Sequence, residues 1–89
     1  MIGQWIRLVI KRILVKSREV NRRIESLGGY RTRQRGSHRR YAATYLDDRI
    51  ERTVFTTLQQ HKSQDIPTGT LYAIQRDMIP AFGEGWPLG

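Results

Sequence analysis

The stretch Arg33-Gln34-Arg35-Gly36-Ser37-His38-Arg39-Arg40-Tyr41 sets four guanidinium groups around one imidazole. An imidazole exchanges a proton near neutral pH, so it can act as a general acid or a general base. Guanidinium groups are permanent cations whose planar forks match phosphate oxygens. From Gly28 to Leu46 the chain carries Arg31, Arg33, Arg35, Arg39 and Arg40 and no acidic residue. These residue types suit proton transfer on a bound polyanion. A row of arginines on a solvated sheet face needs no ligand to explain it; the histidine at the end of the row is what adds chemistry.

The totals narrow the possibilities. Eighty-nine residues form one domain with a small core. The formal net charge is +8, and thirteen of the sixteen cations are arginine, a bias towards nucleic acid. With no cysteine, disulfides and thiolate metal sites are excluded, and a reducing cytoplasm is the expected location. Only His38 and His61 could supply imidazole, so no metal or other cofactor is expected. No stretch has the length of a membrane span, and the N-terminal apolar run is broken by Arg7, Lys11 and Arg12 and lacks a small-residue cleavage site.

The elements that must position these groups follow from periodicity. Residues 2–27 read as helix, with Ile2, Ile6, Val9, Ile13, Val20, Ile24 and Leu27 on one face. Ser17 could instead cap a separate helix beginning at Arg18. Gly28-Gly29 stops it. Tyr30 to Gln34 reads as a strand, Gly36-Ser37 as a type II′ turn, and His38 to about Tyr45 as a second strand. Leu46 to Arg52 reads as a charged loop and Thr53 to about Gln59 as a third strand. A last helix opens at Asp65-Ile66-Pro67-Thr68, buries Leu71, Ile74 and Met78, and is expected to end at Pro80. The predicted fold is α+β: helix, three-stranded antiparallel sheet, helix, with both helices on one sheet face.

A two-residue turn at Gly36-Ser37 pairs Arg35 with His38, Arg33 with Arg40, and Arg31 with Ala42. Side chains alternate across a strand, so Arg31, Arg33, Arg35, Arg40 and His38 are predicted to share one face. Tyr30, Thr32, Gln34, Arg39, Tyr41 and Ala43 fall on the other, where the tyrosines suit a core under the helices. Like charges directly opposite cost up to about 1 kcal/mol per pair, which a bound anion would offset.

Three matching pieces stand in order: Leu27-Gly28-Gly29-Tyr30; Arg35-Gly36-Ser37-His38 with Tyr41; and His61 through Asp65, Ile66, Pro67, Gly69, Thr70 and Leu71. In these the chain resembles the HicA family of small toxin endoribonucleases, over roughly Ser17 to Met78. The resemblance implies a fold similar to a double-stranded-RNA-binding domain, cleavage of mRNA, and neutralisation by a HicB-type antitoxin. It implies that His38 is the catalytic histidine. It divides the chain into a basic extension at 1–16, a HicA-like domain at 17–79 and a tail at 80–89. The chain departs from the family pattern at Leu58-Gln59-Gln60, where a proline is common, and in the acidic group Asp47, Asp48 and Glu51.

The chemistry to expect is attack of an RNA 2′-OH on its own phosphate. His38 would act as base or acid, with Arg33, Arg35 and Arg40 on phosphate, and cleavage would leave a 2′,3′-cyclic phosphate. Arg31, Ser37, His61 and Lys62 are further candidate RNA contacts, and His61 is also a candidate for the second proton transfer. A plain loop role explains His61 as readily. The competing reading is a double-stranded-RNA-binding module without catalysis, which has no need of the imidazole. Residues 1–16 admit three readings: an in-phase extension of the first helix, a surface for a membrane or a partner, or a segment ahead of a natural start near Val15.

Overall fold

The computed structural model describes residues 15–60 and 65–87. The element order is α1 (Ser17–Ser26), β1 (Tyr30–Arg35), β2 (His38–Asp47), β3 (Ile50–Gln59) and α2 (Thr68–Phe82). The three strands form one antiparallel sheet in the order β1-β2-β3. Both helices lie on the same face of it, as the periodicity predicts. The stretch 2–14 of the expected first helix, together with His61 and Lys62, lies outside the described residues.

The helix α1 buries Val20 and Ile24 completely, one turn apart on its inner face. Lys16, rather than Ser17, holds its N-cap, and Glu19 accepts a hydrogen bond from the Lys16 N–H at 3.3 Å. Gly28 takes φ 98°, and the bonds Gly29 N–H to Ile24 carbonyl (2.8 Å) and Gly28 N–H to Glu25 carbonyl (3.1 Å) make a Schellman closure. Before α1, the Ile66 N–H donates to the Val15 carbonyl (2.7 Å) and Lys16 pairs with Asp65 (2.9 Å), so the approaches to the two helices are laced together.

On the sheet's inner face Tyr41, Ala43, Thr56 and Leu58 are buried against Val20, Ile24, Leu71, Ile74 and Met78. Each large apolar side chain so buried contributes about 1.5–3 kcal/mol. The Thr56 hydroxyl donates to Asp77 at 3.0 Å and fixes α2 along β3. The last helix does not end at Pro80. It runs through to Phe82 and stops at Gly83, whose φ is 86°. A proline one turn from the end forfeits a single bond, and the missing donor is tolerated there. The segment beyond packs firmly: Trp86 is 2 % exposed, donates from its indole to the Gln75 carbonyl (2.9 Å) and meets Phe82 edge-on at 5.2 Å.

The segment expected as a charged loop is a tight hairpin. β2 continues to Asp47 and β3 begins at Ile50, joined by Asp48 and Arg49 at φ 51° and 71°. Two positive φ values define a type I′ turn, whose twist suits a hairpin. Arg52 closes it by pairing with Asp47 at 2.8 Å.

Candidate active site

At the first hairpin Gly36 adopts φ 58° and Ser37 stays out of the left-handed region, as in the predicted type II′ turn. Arg35 pairs with His38, Gln34 with Arg39, and Arg33 with Arg40. The register then slips by one residue. Arg31 pairs with Tyr41 and Tyr30 with Ala42, leaving Thr32 as the extra residue of a β-bulge.

That bulge corrects two placements. Arg31 does not join the row containing Arg33, Arg35 and Arg40; it turns to the helix side, where its guanidinium donates to Gln34 at 3.0 Å. Tyr30 does not enter the core. It lies on the open face, 48 % exposed, with its hydroxyl 3.2 Å from that of Thr44. A one-residue slip exchanges the faces of everything beyond it.

The open face of the sheet is built in cross-strand rungs. Arg35, His38 and Gln59 form the first, Arg33, Arg40 and Thr57 the second, and Tyr30, Ala42 and Phe55 the third. His38 is exposed and has no side-chain hydrogen bond among the described residues. Arg40 places its guanidinium 4.6 Å from the centre of the Phe55 ring, a cation–π contact. The row thus presents three guanidinium groups beside one imidazole, with no acidic side chain until Glu51 near the far end.

What holds the row in place lies on the other side. The Gln60 N–H donates to the Ser37 carbonyl at 2.6 Å, tying the end of β3 to the turn that carries His38. The side-chain amides of Gln60 and Asn21 meet at 2.6 Å and join that end to α1. Arg39, half-buried, donates to Gln34 (3.2 Å) and to the Tyr41 hydroxyl (3.2 Å), and that hydroxyl in turn donates to Glu25 (3.3 Å). Burial pushes the Tyr41 phenol above its ordinary pKa of 10.0, with the neighbouring Arg39 opposing and Glu25 reinforcing that rise. Arg39 is therefore part of the scaffold beneath the site, as its register predicts.

Sequence reasoning missed Phe55, Thr57 and Gln59 as members of the open face. Reading Leu46 to Arg52 as a loop left the register of the third strand unfixed. A two-residue turn at Asp48-Arg49 sets it, and every odd position of β3 from Glu51 to Gln59 then falls beside an even position of β2.

The fold and the row of cations beside an exposed histidine define a small α+β domain with a cationic sheet face. Residues 17–78 match the family described as the HicA toxin of bacterial toxin–antitoxin systems, and the chain belongs to that family. It is the toxin of such a pair, and an antitoxin is its implied partner. Comparison with curated proteins and with solved structures gave no match. Among the described residues no helix is long and apolar enough to cross a membrane.

Proposed function

We propose that this toxin is an endoribonuclease that cuts mRNA and is neutralised by a HicB-type antitoxin covering the same face. The observation that carries the reading is the placement of an exposed, uncommitted His38 in one rung with Arg35 and one rung from the Arg33–Arg40 pair. His38 takes the proton from a ribose 2′-OH as it attacks the adjacent phosphorus, or delivers one to the departing 5′-oxygen. Arg33, Arg35 and Arg40 bind phosphate and stabilise the charge that grows on its oxygens in the transition state. The bond from phosphorus to the 5′-oxygen breaks, leaving a 2′,3′-cyclic phosphate and a 5′-hydroxyl. Arg31 at the sheet edge, Ser37 in the turn, and His61 and Lys62 are further RNA contacts in this reading, with His61 the candidate for the complementary proton transfer. The work takes place in the cytoplasm, where mRNA is found.

Losing a general acid or base costs about 10²- to 10⁴-fold in rate. His38→Ala is therefore expected to cut the cleavage rate by that factor while retaining most RNA affinity, measured on a labelled oligoribonucleotide. The same sequence with a 2′-deoxyribose at the cut site should resist the wild-type chain, since the nucleophile is gone. Undiminished cleavage by His38→Ala would remove the proposal. RNA binding with no cleavage by the wild-type chain would establish a binding module in its place.

A further inference from the structure

The third rung of the open face has no place in the chemistry at His38. Tyr30 and Phe55 are 48 % and 44 % exposed, on opposite sides of Ala42. Ala42 between them is only 1 % exposed on an otherwise solvent-facing surface. Thr44 and Thr53 follow in the next rung, their hydroxyls 3.3 Å apart, and the Tyr30 hydroxyl joins them. The aromatic rung is thus held in position. A strand rises about 3.3 Å per residue, so Ala42 stands about 13 Å along β2 from His38. The Arg33–Arg40 pair lies between them.

Two exposed rings beside a cationic row have a specific chemical meaning. Arginine alone binds the phosphates of any nucleic acid, whereas rings accept bases only where those bases are unpaired. A duplex keeps its bases inside and offers the face only backbone. We propose that Phe55, with Arg40 stacked on it, is a base-stacking platform, and that the substrate crosses this face as single-stranded RNA, an unpaired base adding to the Phe55–Arg40 stack while the neighbouring phosphate lies at Arg33 and Arg35. The proposal rests on the nuclease reading and names its substrate class. The surface charge suits a polyanion, since Glu51 near the far end is the only acidic side chain among the open-face rungs, and the exposed rings are what add a preference for unpaired bases.

The test uses the full chain carrying His38→Ala, so that RNA survives the measurement, with and without Phe55→Leu. Leucine keeps apolar bulk and removes the π face. The probes are a short labelled single-stranded oligoribonucleotide and the duplex it forms with its complement. The expected result is a loss of single-strand affinity of about 5- to 150-fold, with duplex affinity unchanged. Phe55→Tyr, which restores a ring, should recover it, and matching circular-dichroism melts show that each variant is folded. Unchanged single-strand affinity in Phe55→Leu, or equal loss on both probes, overturns the proposal. So does intact RNA affinity with lost antitoxin capture, which would assign the rung to the protein partner. Failure of the nuclease reading looks different: cleavage by the parent chain that survives His38→Ala.

Discussion

His38 and Tyr41 are three positions apart on β2 and face opposite ways, one into solvent and the other into the core. The same alternation that frees the imidazole buries the phenol. Tyr41 is completely buried and its pKa is raised, chiefly by loss of water around the ionised form. A group that binds its proton more tightly when folded contributes stability that is present below the unfolded pKa, near 10, and lost as pH rises through the folded value. Equilibrium unfolding should therefore show a fall in stability above about pH 10. Tyr41→Phe should flatten that part of the profile, while losing the bonds to Arg39 and Glu25 at every pH. A profile in the phenylalanine variant as steep as the parent's would deny Tyr41 this role.

At the scale of elements, the turns decide which side chains share a face. Arg49 sits at φ 71°, where a residue with a Cβ is strained by about 1–2 kcal/mol. Arg49→Gly should relieve that strain and form the favoured Asp-Gly turn, raising stability by about 1 kcal/mol in denaturant titration. A lower midpoint would show that the Arg49 side chain matters more than its backbone. Gly29 makes the opposite case. A methyl group there would overlap Ile24 and press on Phe82 at 3.2 Å, so Gly29→Ala should cost about 1–3 kcal/mol by overpacking. A melt identical to the parent's would mean that α1 gives way freely. These turns also explain what the sequence could disclose. Gly28 and Gly36 announce their bends because only glycine takes positive φ cheaply. Asp48-Arg49 carries no such mark, so the long β2–β3 hairpin stayed hidden, and with it the place of Phe55. The bulge at Thr32 stayed hidden for a different reason. All six residues of β1 are exposed, so no apolar side chain marks which way the strand faces. Where burial does mark the face, as at Val20, Ile24, Leu71, Ile74 and Met78, periodicity placed the residues correctly.

At the scale of the whole molecule, a chain of net charge +8 sets Arg33, Arg35 and Arg40 together on one sheet face while the other face carries the core. RNA affinity should fall steeply with salt, because each neutralised phosphate releases counterion. Replacing Arg33, Arg35 and Arg40 together by Gln should reduce the slope of log affinity against log salt by about 0.7 per lost contact on a single strand. A slope unchanged in the triple variant would place the phosphates elsewhere, with the α1 N-terminus and its Lys16 and Arg18 the next surface to probe. On the proposed occlusion of this face, antitoxin association should share this salt sensitivity in its rate.

The single surplus residue at Thr32 lets the front of β1 be tuned apart from its back. Upstream of it, Tyr30 can exchange one aromatic for another without disturbing how Arg33 and Arg35 meet β2. Deleting Thr32 would leave Arg31 opposite Tyr41 and Tyr30 opposite Ala42 as they are, whereas drawing Thr32 into the ladder opposite Tyr41 would swing Tyr30 inward and bring a fourth guanidinium, that of Arg31, outward in place of its ring. On the proposed reading, flattening the bulge in this way would trade an aromatic surface for a further cation, leaving the imidazole where it stands.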